Sequence, residues 1–502
     1  MTMLKALKRT GSNAIVYGVG QGLSSAAAFL LLPLYTRYLP QSDLGKLGLL
    51  STINVIAGIL FGMGLESAIF RSYYDYTDIR DRQMVVSTTL ILMVFCALSV
   101  SIALLFAVPS LSMVLFDEKK SVALLYMILV KAIAVVFSSV PLAIYRARGQ
   151  AKKYAVVNFL AVTAKCSVII YLVTVRKLGL TGVVAGDTIT AVITTTIMLL
   201  TISGYIIPAF SPGEARKLLG FGLPVVPANL ASLIFLRADL FFLNRYTDLA
   251  TVGQYNAALM IVNVMQMLIK RPFSLVWTPM MLSVEKEKFA GSFYARVSLY
   301  LYTLLGFLTL GIALFSNEII GIIAGPGYEK AIIALPILCL AQVLYITQTS
   351  LGVGITLKRK TRYIPVILSR VAVTALAANF LLVPHWGILG SSVASLLSSV
   401  VFMISTYTVS QKIYRVNYSF KRAVKVLVVF LSTYGTVMSA TAILPLWLFW
   451  TLRFAAMPFS LGVLFVWRFF EKDELKAAGR QLTALREKTG FFVRGKQSES
   501  AS

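Results

Sequence analysis

Eight ionisable side chains lie within stretches that are apolar enough to cross a bilayer. They are Glu66, Lys131, Lys165, Asp187, Arg237, Asp239, Arg370 and Arg453. A charge that faces lipid at the centre of a helix costs at least about 2.5 kcal/mol, so we expect most of them to face a partner or a water-filled cavity. Five bases against three acids favour a lining that binds an anionic ligand.

The apolar stretch 224–246 carries two of these charges, Arg237 and Asp239, at membrane depth. Two residues correspond to about 200° around a helix, so the two side chains are not expected to pair with each other. We expect one to face a central cleft and the other to face its own helix bundle or an outer interface. The cleft position is assigned to Arg237, and a structural ion pair with a neighbouring helix is the alternative.

Four further bases are candidates for binding an anion. Lys131 and Lys165 lie in the middle of their spans, where a lysine cannot easily extend to the interface, so a cavity position and a structural position are equally open. Arg71 and Arg271 close the inner ends of the second and eighth spans. Anchoring at the membrane surface is the default for this pair, and a gate for an anionic headgroup is the alternative.

The two remaining bases lie nearer to the ends of their spans. Arg370 is about a turn and a half from the inner end of its helix, and Arg453 is about as far from the outer end. Extension to the membrane surface is favoured for both side chains. Arg370 stays a candidate for substrate binding.

The acids could couple movement to an ion gradient. A carboxylate within a span that binds a proton or a sodium ion can bias which side of a cleft is open. Asp187, Asp239 and Glu66 are the candidates for this role. Helix packing against adjacent glycines explains them nearly as well.

Composition restricts the class of protein. Of 502 residues, 58% are hydrophobic and only 13% are charged, and the mean hydropathy is +0.81. Soluble proteins carry about 25% charged residues, so the composition indicates an all-α polytopic membrane protein. The three cysteines lie within apolar spans, without the spacing of a zinc site, and the only histidine, His385, lies in a short predicted loop. We expect no metal, cofactor or disulfide.

Apolar runs predict fourteen membrane-spanning helices. They lie at 14–36, 44–70, 84–108, 121–145, 154–175, 180–207, 221–243, 250–269, 297–315, 329–353, 363–383, 388–410, 425–443 and 446–468. With the N-terminus inside, the inner segments hold about 34 lysines and arginines and the outer loops hold 8. This asymmetry predicts that both termini are cytoplasmic. It also accounts for the net charge of +27, so we expect no nucleic-acid partner.

The chain repeats itself at an offset of 208 residues. Arg37, Tyr38 and Gly45 recur as Arg245, Tyr246 and Gly253, and Gly179 and Gly182 recur as Gly387 and Gly390. An even number of helices per repeat makes both copies enter the membrane from the same side. We therefore predict two six-helix lobes, related by a pseudo-twofold axis along the membrane normal, with a cleft between them. The predicted domains are 1–210, 211–411, a two-helix appendage at 412–470 and a basic cytoplasmic tail at 471–502.

Several segments resemble a known transporter family. They are LYTRYLPQSDLGKLGLLS after the first helix, LRADLFFLNRYTDLATVGQYNAA across the seventh and eighth, and GLTGVVAGDTI with its echo GILGSSVASLL. Together with the predicted spans and repeat, they resemble the polysaccharide-transporter branch of the multidrug/oligosaccharidyl-lipid/polysaccharide exporter superfamily, which includes the Wzx O-antigen flippases. The resemblance covers about residues 5–470.

That resemblance implies a flippase of the bacterial inner membrane. Its substrate would be an undecaprenyl-pyrophosphate-linked oligosaccharide, moved from the cytoplasmic to the outer leaflet by alternating access for surface polysaccharide biosynthesis. Its partners would be the bilayer, a polysaccharide polymerase and chain-length proteins. No catalytic residues are expected, since no bond is broken, and a proton or sodium gradient could drive the cycle.

Two other functions remain as alternatives. An ion-coupled antiporter of cationic drugs, from the same superfamily, would share the fold but would favour an acidic cavity. A membrane-embedded glycan polymerase or ligase would usually carry a large outer loop, and no predicted outer loop exceeds about 15 residues. The chain also lacks the phosphate loop of an ATPase.

Overall fold

The computed structural model describes residues 31–118, 121–440 and 445–467, and these residues form helices and short connections without any strand. Residues 31–38 are helical. The helices of the first half are α1 Gln41–Gly62, α2 Leu65–Asp75, α3 Ile79–Phe116, α4 Val122–Ala147, α5 Ala151–Ile170 and α6 Gly179–Leu200. Those of the second half are α7 Pro212–Gly222, α8 Val225–Tyr246, α9 Leu249–Met265, α10 Arg271–Ser283, α11 Ala290–Leu314, α12 Ser316–Ile323, α13 Glu329–Leu351, α14 Val353–Leu357 and α15 Tyr363–Ile413. The last two helices are α16 Phe420–Ala440 and α17 Leu446–Val466.

The protein is a polytopic membrane protein. Among the described residues, 12 helical segments are long and apolar enough to cross a bilayer. One of them, α15, holds both the predicted eleventh and twelfth spans, and it is broken at Gly387, where φ is 52°. The predicted first span, 14–36, lies mostly outside the described residues. Large apolar side chains such as Phe106 and Val114 are 81% and 78% exposed, as expected for surfaces that face lipid.

The repeat is visible in the backbone. Gly179 begins α6 with φ of 54°, and its repeat partner Gly387 has φ of 52°. Only glycine adopts this left-handed conformation without a steric cost, which explains why glycine stands at both positions. After this break, Gly390 lies close to the part of α15 that precedes Gly387. A Cβ on Gly390 would lie 2.4 Å from the Leu382 carbonyl oxygen.

The two copies meet through repeat-related residues of α1 and α9. A Cβ on Gly45 would lie 2.1 Å from the carbonyl oxygen of Leu249, and a Cβ on Gly253 would lie 1.9 Å from that of Gln41. Gln41 and Leu249 are themselves 208 residues apart, so the contact is reciprocal. A reciprocal contact between equivalent surfaces is the mark of a twofold axis. The axis therefore passes between α1 and α9 at the ends predicted to be outer.

Polar side chains extend this outer contact. Asn256, one turn after Gly253, donates from Nδ2 to the Leu44 carbonyl oxygen at 3.1 Å. Gln254 Nε2 donates to Gln41 Oε1 at 3.1 Å. Asp248 caps α9 by accepting from the backbone N and the hydroxyl of Thr251, both at 2.9 Å. Burial alone would raise the pKa of Asp248, but these hydrogen bonds and the charge of Lys330 hold that pKa below its usual value.

We expect the substitution Gly253→Ala to lower stability by about 1–3 kcal/mol, because the new methyl group forces α1 and α9 apart. The thermal unfolding midpoint of the purified protein in detergent measures this. Gly291→Ala is the matched control, since nothing lies within 4 Å of a Cβ at that helical position. An unchanged midpoint for Gly253→Ala would contradict the close contact.

Several predicted boundaries are wrong, among them those of the second and eighth spans. The second span was predicted at 44–70, but α1 ends at Gly62 and the chain turns through Met63 and Gly64, with φ of 45° and 73°, before α2 begins. The eighth span was predicted to end at 269. The helix instead passes through a π-helical turn at Gln266–Lys270 and continues as α10 to Ser283. Lysine and arginine end an apolar run, but they do not end a helix.

The described residues form two compact units, one from within 31–298 and 315–416, and the other from within 299–314 and 417–467. In the second unit, Gly306 approaches Phe430 so closely that a Cβ would lie 2.8 Å from its ring. Arg453 of α17 is only 2% exposed, and its guanidinium carbon lies 3.9 Å from the centroid of the Phe449 ring. Arg453 is thus buried against an aromatic face, where the sequence had favoured extension to the membrane surface.

Candidate functional site

Three charged residues of the first half form one cluster. Lys131 on α4 and Lys165 on α5 both bind the carboxylate of Asp187 on α6. Lys131 Nζ lies 2.7 Å from Oδ2, and Lys165 Nζ lies 2.8 Å from Oδ1. We call these three residues the lysine–aspartate cluster. The sequence named all three as candidates, for two different roles, and the structure places them in a single site.

Close helix packing positions this cluster. Thr188 and Thr195 of α6 donate to the carbonyl oxygens of Met127 and Ala134 on α4, at 3.2 and 3.0 Å. On the other face of α6, Gly186 lies against α5, and a Cβ there would lie 3.0 Å from the Ile169 side chain. Asp187 follows this glycine and is therefore held between the two lysine-bearing helices.

The cluster carries one excess positive charge. Its side chains are mostly buried, with Lys131 14% exposed, Asp187 18% and Lys165 31%. A single carboxylate balances one of two ammonium groups, and charges in a low-dielectric surrounding interact more strongly than in water. The cluster can therefore attract an anion to its more exposed edge, at Lys165.

The second half holds a polar cavity of about 140 Å³. Arg237 and Asp239 of α8 both line it, together with residues of α9, α13 and α15. The Asp239 carboxylate accepts from the backbone N of Leu240 at 2.9 Å, from Tyr255 Oη at 2.6 Å and from Ser395 Oγ at 3.4 Å. Asp239, only 3% exposed, therefore links α8 to α9 and α15.

Lys270 was missed as a candidate because the sequence placed it in an inner loop. It lies instead on the π-helical turn within a helix that continues to Ser283. Its Nζ is 3.4 Å from the centroid of the Tyr345 ring, and Tyr345 lines the cavity. The apolar run after Pro272 was the signal that the helix continues beyond this lysine.

The remaining predicted residues lie elsewhere. Arg71 lies on α2 with its guanidinium 5.0 Å from the centroid of the Phe221 ring, and Glu66 is an exposed residue 4.0 Å from Arg146. Arg271 is the exposed first residue of α10, and Arg370 is exposed on α15. None of these four is a member of the lysine–aspartate cluster or lines the cavity of the second half.

Comparison with solved structures identifies the class of fold. A lipid II flippase, MurJ, in an inward closed conformation is similar with a TM-score of 0.72 at 13% identity, over 90% of this chain and 99% of that one. An inward-facing multidrug resistance transporter of the MATE family gives 0.62 at 17% identity, over 80% and 94%. A transporter from Pyrococcus furiosus, described as having a binding pocket of reversed polarity, gives 0.53 at 16%, over 80% and 95%. The chain has the fold of the multidrug/oligosaccharidyl-lipid/polysaccharide exporter superfamily.

The family follows from the sequence comparison. The model of the family described as "Polysaccharide biosynthesis protein" matches residues 10–285, more than half of the chain. The protein belongs to this family. A search of curated proteins found no match.

Proposed function

We propose that this protein is a flippase, which moves an undecaprenyl-pyrophosphate-linked oligosaccharide from the cytoplasmic to the outer leaflet of the bacterial inner membrane. The observation that carries the proposal is the lysine–aspartate cluster, with its excess positive charge at membrane depth. An anionic headgroup needs such a partner, because a phosphate that enters the hydrocarbon region without one loses its hydration. The polyprenyl tail needs none and can remain in lipid.

The second half offers a matching positive charge at Arg237. Cations on both halves would hold the headgroup while the halves rock about the contact of α1 with α9, and no bond would be broken. Family membership and the fold of MurJ, whose structure is described as that of a lipid II flippase, support a lipid-linked glycan as the cargo.

A proton or sodium gradient would supply the direction of transport. Asp239 is the acid best placed for this role, because its carboxylate joins three helices through Tyr255 and Ser395. Neutralising it weakens these hydrogen bonds and favours a different arrangement of the helices. Asp187 would act through its two lysines, and the exposed Glu66, near the start of α2, would act through Arg146.

The chain would work with both termini in the cytoplasm and would deliver its cargo to a polysaccharide polymerase and chain-length proteins on the outer side. The roles of Lys131, Lys165, Arg71, Arg271 and Arg370 in binding the headgroup are part of this proposal. Arg71 on α2 and Arg271 at the start of α10, both exposed, would meet the headgroup first.

Deletion of the gene tests the proposal. We expect a polyprenyl-pyrophosphate-linked oligosaccharide to accumulate in the extracted lipids and surface glycan to disappear, with both defects reversed by the wild-type gene. An unchanged lipid profile would contradict the flippase. Sensitivity of the deletion strain to cationic dyes, with normal surface glycan, would indicate the drug antiporter instead.

A further inference from the structure

The cavity of the second half has a lining rich in carboxamides. Gln342 of α13, Asn263 of α9 and Gln266 of the π-helical turn all line it. Asn263 and Gln266 are joined by a hydrogen bond of 3.3 Å from Gln266 Nε2 to Asn263 Oδ1. Carboxamides both donate and accept hydrogen bonds, as hydroxyl groups do, so this part of the lining suits a ligand with several hydroxyls.

Gln342 supplies an independent sign of a ligand site. The residue is 8% exposed, and its Nε2 is buried without a hydrogen-bond partner in the described part of the protein. A buried donor that stays unsatisfied costs about 1–3 kcal/mol, so each such group in a folded protein requires an explanation. A ligand hydroxyl or water that accepts from Nε2 would remove this cost.

Positive charge lies beside the carboxamides. Arg237 lines the same cavity, and Lys270 lies against the ring of Tyr345 at its wall. Asp239, the acid in the lining, already accepts hydrogen bonds from three groups of the protein. Arginine and lysine are the side chains that bind phosphate in proteins.

The size of the cavity limits the ligand. An engineered protein cavity of about 150 Å³ holds benzene, a six-membered ring. The volume of about 140 Å³ found here thus suits a single ring rather than a chain of them. Water would fill a polar cavity of this kind until hydroxyl groups displace it.

We infer that this cavity is a glycosyl-phosphate subsite, in which one sugar ring of the substrate lies against Gln342, Asn263 and Gln266 and its phosphate lies against Arg237 and Lys270. The inference rests on the proposed function and adds a position for the sugar next to the phosphate. It assigns sugar recognition to the second half of the chain and leaves the lysine–aspartate cluster to attract charge.

Binding measurements on the purified full-length protein in detergent test the subsite. The probes are glucose, galactose, mannose and N-acetylglucosamine 1-phosphates, compared with inorganic phosphate, the free sugars and sodium chloride. We expect at least one sugar phosphate to bind about tenfold more tightly than inorganic phosphate, because its hydroxyls satisfy the carboxamides. Equal affinity for phosphate and for every sugar phosphate, or stabilisation by sodium chloride alone, would overturn the inference.

Substitutions assign the two parts of the ligand. Gln342→Met, with Gln266→Met as a second variant, should remove the tenfold advantage of the sugar phosphate and leave the affinity for inorganic phosphate unchanged. Lys270→Met should weaken both ligands. Ile333→Met, an exposed position on the same helix outside the lining, is the control and should change neither. If both glutamine variants keep the advantage of the sugar phosphate, the carboxamides do not bind the sugar.

The outcome is separable from that of the proposed function. If Gln342→Met restores full export to the deletion strain, the sugar subsite is excluded but the proposed flippase function is not. If the deletion strain has normal lipids, the proposed flippase function is excluded, whatever the purified protein binds.

Discussion

Replacing Arg237 with alanine is expected to lower surface-glycan export by about 10- to 100-fold while the protein stays in the membrane. Arg237 lines the cavity of the second half, where its guanidinium would donate to a phosphate, and a hydrogen bond to a charged group contributes about 1.5–3 kcal/mol. Alanine removes this interaction and leaves α8 intact, because alanine is the best helix former. The measurement is glycan on the cell surface, normalised to the amount of protein in the membrane.

The matched control is Arg245→Ala, which removes an exposed arginine near the end of the same helix. It should export as the wild type does. Arg237→Lys should be intermediate, since lysine keeps the charge but not the planar pair of donors. Wild-type export by Arg237→Ala would exclude this residue from the site.

Replacing Asp187 with asparagine should have the largest effect on stability. The carboxylate is the shared partner of Lys131 and Lys165, so its loss leaves two mostly buried ammonium groups facing each other. Removing one partner of a buried ion pair costs about 3–5 kcal/mol, and the partial exposure of Lys165 places the expected loss near 3 kcal/mol. The thermal unfolding midpoint in detergent and the yield of folded protein should both fall.

A triple substitution separates stability from function in this cluster. Lys131→Met, Lys165→Met and Asp187→Leu together replace the charges with apolar groups of similar size, and such replacements are often neutral or stabilising. We expect this variant to regain the wild-type midpoint and to remain inactive in export. Export by the triple variant would show that the cluster serves packing alone.

The repeat and the axis could be predicted from the sequence because they depend on glycines. Each of these glycines is required by the local backbone conformation or by a close backbone contact. Gly387 has a left-handed backbone, and Gly45 and Gly253 allow two backbones to approach. Because both copies have the same backbone requirement, glycine occurs at equivalent positions in both, 208 residues apart. The fold class and family followed, and the structural and family comparisons agree with both.

Partnerships between helices could not be predicted. Lys131, Lys165 and Asp187 are recognisable singly, as charges in apolar spans, but they lie on three helices. Helical periodicity describes the faces of one helix and does not say which other helix each face meets. The sequence therefore assigned Asp187 to ion coupling and the two lysines to substrate binding, whereas the structure shows one connected cluster.

The polar residues that line the cavity of the second half were missed for another reason. Gln342 and Asn263 carry no charge, so nothing in their spans distinguishes them from ordinary polar residues at a helix contact. Lys270 was hidden because a pair of adjacent basic residues usually marks the end of a span. The helix continues as α10, so this lysine lies within a span.

Transport in vesicles made with the purified protein tests the central claim most directly. A polyprenyl-pyrophosphate-linked oligosaccharide is placed in one leaflet, and its accessibility to a sugar-oxidising reagent that cannot cross the membrane is followed with time. The account predicts that the wild-type protein moves the lipid between leaflets and that Arg237→Ala, present in equal amount, does so at a rate close to that of empty vesicles. Equal rates for the wild type and for empty vesicles would contradict it.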